Sequence, residues 1–182
     1  MLSDEALIAE ARQGSRAAFE SLFDRYRQPV WQFFRRRTPR SDIAEELAQD
    51  TFVAVLEGVA RYRQSGTFRS YLFGIAYNVL LADHRKAGYR VTEPLDADPV
   101  DQTPFSPDQS IWVRAALATL DADAREILML REYESLSYQE IAGVRGTPLN
   151  TVRSQLFRAR EALKSALENR ASHAVRTTHG GR

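Results

Sequence analysis

The residues best suited to contact a ligand lie on one polar face near the C-terminal end of the chain. In the stretch LNTVRSQLFRAREAL, residues 149–163, helical spacing brings five side chains to the same side: Asn150, Arg153, Ser154, Phe157 and Arg158. Arginine reaches phosphates or guanine edges, and an aromatic ring packs on a thymine methyl group. The pattern favours contact with duplex DNA. The alternatives are an ordinary solvated face and, for Phe157, a stray surface aromatic or a contact with another helix.

The elements that must position this face are two short helices joined by a tight turn. Ser137 and Glu140 have the spacing of a reciprocal capping box, which predicts a helix start. Gly146 suits a left-handed turn, and Thr147 followed by Pro148 suits the first positions of the next helix. The buried stripe of that helix is predicted to be Val152, Leu156, Ala159 and Leu163. Together these features predict a DNA-binding helix-turn-helix.

Composition limits the classes of function. The chain has 182 residues and a net charge of +1, so a nucleic-acid surface requires local segregation of positive charge. It has no cysteine, which excludes disulfides, thiolate catalysis and cysteine-ligated metal sites. The N-terminal segment does not have the pattern of a signal peptide, and no apolar run approaches the roughly 20 residues that span a bilayer. We therefore expect a soluble, cytoplasmic protein without membrane insertion.

The N-terminal part is predicted to be helical throughout. Residues 3–37 predict two helices separated by a turn at Gly14, with Pro29 kinking or restarting the second. A third helix, residues 42–60, is predicted to begin with a pairing of Asp42 and Glu45. Its core face is predicted to consist of Ala44, Ala48, Phe52, Val55, Leu56 and Val59.

The other side of the third helix carries an acidic stripe around one valine. Its members recur at helical spacing and are Glu46, Asp50, Val53 and Glu57. One interpretation is a solvated helix face, which is the usual role of a charge run. The other is a docking surface for a basic partner.

A fourth helix, residues 67–85, combines aromatic and basic residues. Its inward face is predicted to contain Phe68, Leu72, Ile75 and Val79. The outer face is predicted to contain Tyr71, Gly74, Asn78 and Arg85, with Phe73 and Tyr77 beside it and Lys86 after it. Such a surface suits stacking on unpaired bases beside a phosphate strand, but an aromatic-rich helix is equally consistent with plain core.

These patterns predict an all-α protein of two small helical domains joined by a flexible linker. The first domain is predicted over residues 1–88 and the second over 109–170. The linker, 89–108, is rich in proline and acidic residues, and 171–182 are predicted to form a disordered tail.

Motifs of enzymes are missing from the sequence. There is no glycine-rich phosphate loop, no nucleophile elbow and no pair of histidines at metal-binding spacing on a helix. The three histidines, His84, His173 and His179, are scattered. We expect no catalysis, no cofactor and no metal.

With both halves described, the chain resembles a bacterial RNA polymerase sigma factor of the extracytoplasmic-function (group IV) type. Three segments are similar to family region 2: AFESLFDRYRQPVWQFFRRR, AEELAQDTFVAVLEGVARY and TFRSYLFGIAYNVLLADHRK. The segment LDADAREILMLREYESLSYQEIAGVRGTPLNTVRSQLFRAREAL is similar to region 4. The resemblance implies a factor that binds core RNA polymerase and directs promoter recognition, DNA melting and transcription initiation.

The resemblance also implies roles for individual residues. It assigns polymerase binding to Glu46, Gln49, Asp50 and Val53. It assigns contact with the minus-ten strand to Tyr71, Phe73, Tyr77, Asn78, Arg85 and Lys86. It assigns reading of the minus-thirty-five element to Asn150, Thr151, Arg153, Ser154, Phe157 and Arg158. Implied partners are core polymerase, promoter DNA and an anti-sigma factor. The alternative hypothesis is a stand-alone helix-turn-helix regulator whose N-terminal half senses or dimerises.

Overall fold

Regular structure in the described part of the chain is helical, as the sequence predicts. The computed structural model describes residues 2–63, 66–86 and 107–179, and for 107–111 and 170–179 it describes the backbone alone. The helices are α1 (Asp4–Arg12), α2 (Arg16–Arg35), α3 (Ser41–Gly58), α4 (Phe68–Lys86), α5 (Pro107–Ala118), α6 (Ala122–Glu132), α7 (Tyr138–Arg145) and α8 (Leu149–His179), with a 3-10 turn at Val59–Arg61. The chain divides into two compact units, the first containing α1–α4 and the second most of the residues from 107 onward.

Short polar side chains begin α1, α2, α4 and α6, and a fifth, Ser137, begins α7 as described below. In each case an oxygen accepts a hydrogen bond from the amide three residues later, which satisfies one of the unpaired amides at a helix start. The pairs are Ser3 with Ala6 (3.2 Å), Ser15 with Ala18 (3.3 Å), Thr67 with Ser70 (3.1 Å) and Asp121 with Ala124 (2.8 Å).

The start of α3 differs from its prediction. Arg40 occupies the cap position and its side chain makes no capping bond. Asp42 lies inside the first turn, where its Oδ1 accepts from the amide of Ile43 at 3.0 Å. The predicted pairing of Asp42 with Glu45 at the helix start is therefore wrong. A carboxylate in the first turn still interacts favourably with the helix dipole.

The core of the first unit forms around α2. This helix continues through Pro29, so the proline does not restart it. Val30, Phe33 and Phe34, on the C-terminal side of the proline, are completely buried, and their packing holds the helix across the missing hydrogen bond. The helix ends where the buried guanidinium of Arg35 donates to the carbonyl oxygens of Thr38 (3.0 Å) and Pro39 (3.2 Å).

The buried face of α4 is rotated from the predicted one. The buried residues are Phe68, Leu72, Phe73, Ala76 and Leu80, whereas Ile75 and Val79 are only half-buried. Apolar residues occupy most of the circumference of this helix, so their periodicity does not determine which side faces the core. The correction matters most for Phe73, which moves from the border of the outer face into the core.

In the second unit, α5 and α6 pack against α8. The buried apolar residues come from all four helices and from the α5–α6 and α6–α7 connections: Ala116, Leu120, Ile127, Leu128, Met129, Leu130, Leu136, Ile141, Val152, Leu156 and Ala159. Arg125 completes the end of α5, because its guanidinium donates to the carbonyl oxygens of Leu117 (3.0 Å), Ala118 (3.0 Å) and Leu120 (2.9 Å). One arginine thus binds three carbonyl oxygens at this end of the helix, of which that of Leu117 also accepts from the amide of Leu120 at 3.2 Å.

Two predictions about the ends of this unit are affected. Residues 171–179 are helical rather than disordered, since α8 continues to His179 and meets no proline or glycine before Gly180. Most of the predicted linker, 89–106, lies outside the described residues. Its last two positions, 107 and 108, belong to α5.

Candidate nucleic-acid and protein interfaces

The helix-turn-helix begins with the predicted capping box. The amide of Ser137 donates to Oε2 of Glu140 at 2.7 Å, and the amide of Glu140 donates to Oγ of Ser137 at 3.2 Å. The two residues satisfy each other's backbone groups, which fixes the direction in which the chain enters α7. This prediction is confirmed.

The turn between α7 and α8 is built from two backbone hydrogen bonds. Gly146 has φ +62°, and its amide donates to the carbonyl of Gly143 at 3.4 Å. The next amide, of Thr147, donates to the carbonyl of Ala142 at 3.0 Å. This pair of bonds is the Schellman motif, in which glycine takes the left-handed conformation. Gly146 is confirmed as the turn residue. Thr147 is not confirmed as a side-chain cap, since its buried Oγ1 has no hydrogen-bond partner in the described residues.

The two faces of α8 separate as predicted. Val152, Leu156 and Ala159 are buried, and Leu163 is half-buried where the stripe reaches the edge of the unit. On the outer face Thr151 is half-buried, and the other members are exposed: Asn150, Arg153, Ser154, Phe157 and Arg158. Phe157 is 68% exposed, the highest value of any large apolar side chain in the described residues. Most of this residue is therefore open to a partner.

The hydrogen bonds of this outer face are local to α8, and Ser154 Oγ donates to the Thr151 carbonyl at 3.0 Å. Arg153 Nη1 donates to Asn150 Oδ1 at 3.3 Å, and Arg158 Nε donates to the Ser154 carbonyl at 3.4 Å. Neither arginine forms an ion pair within the described part of the chain. Solvent-exposed hydrogen bonds of this kind contribute little and are readily exchanged for others. The face can therefore bind an external anion or acceptor without breaking its own fold.

The predicted polymerase-binding residues form one exposed face of α3. Glu46, Gln49 and Asp50 are exposed, and Val53 is 54% exposed. Among the described residues, neither Glu46 nor Asp50 has an ion-pair partner, and the same holds for Glu45 and Glu57 on either side. Four uncompensated carboxylates on one helix attract a positively charged surface.

Two apolar residues beside this face, Leu56 on α3 and Phe23 on α2, are exposed although the sequence did not predict it. Leu56, predicted as core, is 55% exposed, and Val59 is only half-buried. On α2, Phe23 is 39% exposed and meets Phe52 of α3 edge to face, with ring centroids 4.8 Å apart. We call Phe23, Val53 and Leu56 the apolar patch. A helical wheel places Leu56 at the border of the core stripe, where spacing alone does not separate buried from exposed positions.

The candidates for contact with unpaired DNA on α4 fall into two groups. Asn78, Arg85 and Lys86 are exposed, and Tyr71 and Tyr77 are half-buried. Phe73 is completely buried, with its ring centroid 5.6 Å from that of Phe33. A fully buried ring offers no face to a base, so the prediction that Phe73 contacts the minus-ten strand is wrong.

Tyr71 is held in a small aromatic cluster near the end of α3. Its ring lies 4.6 Å from that of Tyr62, a buried residue that the sequence did not single out. A Cβ atom at Gly58 would lie 2.7 Å from the Tyr71 hydroxyl oxygen, so this glycine leaves room for the ring. Burial raises the pKa of both tyrosines, with Glu5 adding to the effect at Tyr62 and Arg61 opposing it at Tyr71. Both hydroxyls therefore stay neutral at physiological pH.

No helix within residues 2–63, 66–86 and 107–179 is long and apolar enough to cross a membrane.

The chain matches two family models in the order that the fold presents them. The sigma-70 region 2 model matches residues 22–89, and the sigma-70 region 4 model matches residues 110–163. RNA polymerase sigma factor YlaC of Bacillus subtilis (strain 168) is 35% identical over 158 residues, covering 82% of this chain and 91% of that protein. The ECF RNA polymerase sigma-E factor of Haemophilus influenzae is 30% identical over 183 residues, covering 92% of this chain and 96% of that protein.

Solved structures agree with this assignment. The structure of CnrH in complex with the cytosolic domain of CnrY has a TM-score of 0.69 at 25% sequence identity and covers 91% of this chain and 97% of that chain. The sigma factor RpoE, solved with the anti-sigma factor NepR from Bartonella quintana, has a TM-score of 0.67 at 22% identity and supports the fold. Both family models and relatives along most of its length lead to one conclusion: the chain belongs to the bacterial RNA polymerase sigma factors, in their extracytoplasmic-function group.

Proposed function

We propose that this sigma factor docks on core RNA polymerase through α3, captures unpaired minus-ten bases with α4, and reads the minus-thirty-five element with α8. The observation that carries the proposal is the exposed face of α3, where four carboxylates without ion pairs in the described residues lie beside the apolar patch. A solvated helix face does not require exposed Val53 and Leu56. Region 2 is assigned to residues 1–88, the linker to 89–108 and region 4 to 109–170.

In the proposed docking mode, a basic and partly apolar surface of the polymerase covers α3. Val53, Leu56 and Phe23 supply burial of apolar area, at about 25 cal/mol per Å² covered. Glu46 and Asp50 set the orientation through charge complementarity and speed the encounter. Gln49, between them, is available to hydrogen-bond with a backbone or side-chain group of the partner.

Strand separation in this proposal needs no chemistry by the sigma factor itself. A surface that binds unpaired bases better than the duplex shifts the DNA toward the open state by its difference in affinity. Asn78 offers both hydrogen-bond donors and an acceptor to a base edge, and Arg85 and Lys86 offer positive charge to the strand. Tyr71 and Tyr77 border this surface with half-exposed rings.

The second DNA contact lies on α8. Arg153 and Arg158 donate to phosphates or guanine edges, and Asn150, Thr151 and Ser154 offer shorter hydrogen-bonding groups. Phe157 contacts a thymine methyl group from the centre of the face. Phosphate contacts fix the register of the helix in the groove, whereas base-edge contacts determine the sequence that is read.

The proposal also includes an inhibitory protein, an anti-sigma factor, that covers the polymerase-binding face of α3. CnrH, similar in fold and 25% identical, is solved with the cytosolic domain of a second protein bound. A partner that covered the apolar patch on this chain would exclude the polymerase. The proposal also places the factor in the cytoplasm, with the polymerase, and gives it no catalysis and no cofactor.

Run-off transcription with purified core polymerase tests the proposal. A pool of promoter fragments is transcribed with wild type, with Asp50→Arg and with Glu10→Arg, which reverses an exposed charge on α1 as a matched control. We expect selective transcripts with wild type and Glu10→Arg that disappear with Asp50→Arg. If no template is transcribed with any form while the chain alone still binds duplex DNA, the docking proposal fails and the stand-alone regulator replaces it.

A further inference from the structure

Arg160 lies on α8 among the proposed DNA-contacting arginines, but its side chain turns back into its own unit. Nη1 donates to the Tyr138 hydroxyl at 2.9 Å, and Nη2 donates to Oε1 of Glu132 at 2.9 Å. We propose that Arg160 is a positioning residue that sets the orientation of α8 for base reading and does not contact DNA. The inference rests on the proposed role of α8.

The two partners of Arg160 lie at helix ends that other hydrogen bonds hold in place. Glu132 is the last residue of α6 and Tyr138 is the first residue of α7, so they bracket the connection between those helices. That connection is itself held, because Arg131 Nη1 donates to the Leu136 carbonyl at 2.8 Å and the Leu136 amide donates to the Leu130 carbonyl at 3.2 Å. A guanidinium is a rigid, planar fork. Two bonds from it to two different helices therefore restrict the rotation of α8 as well as its distance.

A second polar contact holds the other flank of α8. Gln155 Nε2 donates to Oδ2 of Asp123, in the first turn of α6, at 3.1 Å. At 100° per residue, Gln155 and Arg160 lie roughly 70° to either side of the buried stripe. Apolar burial in the stripe is non-directional and resists separation more than small rotations. The two polar contacts supply the directional restraint that the stripe lacks.

Small rotations are enough to affect base reading. A rotation of α8 by about 20° moves an atom about 6 Å from the helix axis by about 2 Å. Hydrogen bonds to base edges are lost over a smaller displacement than this. Contacts that carry no sequence information depend less on the angle of the helix. Loss of the Arg160 contacts should therefore reduce discrimination between sequences more than it reduces affinity for DNA in general.

The exposure of Arg160 and Glu132 allows a positioning role to be distinguished from a role in stability. The side chains of Arg160 and Glu132 are 45% and 57% exposed, and ion pairs at such positions contribute little to stability. We expect Arg160→Ala and Glu132→Ala to unfold at nearly the wild-type temperature. An effect on base reading without an effect on unfolding is not expected of a residue that only holds the fold together.

The test uses holoenzyme, reconstituted from core RNA polymerase and the full chain. Holoenzyme is incubated with duplex fragments that carry a fully randomised 30-bp segment, and the bound fraction is sequenced. The variants are Arg160→Ala, Arg160→Lys, Glu132→Ala and the double alanine variant. Lys164→Ala removes the same charge from an exposed position of α8 and serves as the control. Affinities of the best sequence and its single-base variants are then measured at several salt concentrations.

Wild type should distinguish single-base variants by a factor of about 5–150 at each base pair read. We expect Arg160→Ala and Glu132→Ala each to reduce this discrimination about threefold to tenfold at adjacent base pairs, with the salt dependence of binding unchanged. The double variant should be no worse than either single one, and Arg160→Lys should restore part of the loss. Glu132 lies on α6 and carries negative charge, so it does not itself attract DNA. Its removal should therefore reduce discrimination only by releasing Arg160.

The opposite pattern overturns the inference. If Arg160→Ala weakens binding to every sequence by the same factor and lowers the salt slope by about 0.9, as loss of one phosphate contact does, Arg160 touches DNA directly. Wild-type discrimination in Glu132→Ala would also contradict the positioning role. If wild-type holoenzyme enriches no upstream element at all, the proposed role of α8 fails, and the positioning role fails with it.

Discussion

Phe157 gives the sharpest test of base reading by α8, because most of this residue is exposed in the free chain. Complete burial of a phenylalanine side chain is worth about 1.5–3 kcal/mol relative to leaving it exposed. Since the ring is 68% exposed, its coverage by a thymine methyl and the neighbouring sugar contributes about two thirds of that, or about 1–2 kcal/mol. Phe157→Ala should therefore weaken binding to the minus-thirty-five element about 5–30-fold.

The thymine is identified by a double-mutant cycle. Each thymine of the selected element is replaced in turn by deoxyuridine, which removes only the methyl group, and holoenzyme binding is measured with wild type and with Phe157→Ala. At the contacted thymine, the substitution should weaken wild type but leave the variant unchanged. Leu2→Ala truncates another apolar side chain, 53% exposed and outside α8, and should bind every template as wild type does.

Two results would refute this reasoning. If Phe157→Ala lowers the unfolding temperature by several degrees, the ring packs within the protein and its exposure has been misinterpreted. If every deoxyuridine template weakens the variant as much as wild type, the ring does not touch a thymine methyl group. The second result would remove Phe157 from the reading of thymine.

Two further predictions concern stability. Ser135, between α6 and α7, has φ +54°, a conformation that costs a residue with a side chain about 1–2 kcal/mol. Ser135→Gly should therefore raise the free energy of unfolding by about 1 kcal/mol, whereas Ser135→Ala should not. Equal unfolding temperatures for the two variants would contradict this. Burial and a hydrogen bond to Asp4 raise the pKa of Tyr26 to about 12, so its contribution is complete below pH 10 and is lost as pH rises from 10 to 12. The advantage of wild type over Tyr26→Phe in urea unfolding should shrink by about 1.4 kcal/mol by pH 11, and an advantage that stays constant would refute the shift.

The features that the sequence predicts well are those whose signals are local. The capping box of Ser137 and Glu140 and the left-handed Gly146 involve partners within five residues, so spacing and residue type suffice to predict them. The outer face of α8 is predicted correctly for a similar reason, because its apolar stripe is narrow and the residues opposite are polar. The capping box and the turn glycine depend on local backbone chemistry, and the faces of α8 depend on helical period.

The features that were missed depend on residues distant in the sequence. In α4 the apolar residues surround the helix, and only its packing against α2 and α3 decides that Phe73 is buried while Asn78 is exposed. Leu56 stands at the edge of its stripe, where neighbouring helices determine exposure. Arg160 has the charge and position expected of a DNA contact. Its partners Glu132 and Tyr138 lie 28 and 22 residues away, and no local pattern indicates them.

The charge of this chain predicts that it binds DNA weakly without the polymerase. The net charge is +1, so the free chain has little long-range attraction for a polyanion. Docking also neutralises the carboxylates of α3, whose repulsion of DNA phosphates physiological salt already screens beyond about 8–10 Å. Tethering is the larger effect. A contact with a dissociation constant of about 0.1 mM, the weak end of non-specific DNA binding, becomes about nine-tenths occupied at an effective concentration of about 1 mM. Polymerase docking thus contributes chiefly by holding two weak DNA contacts on one body.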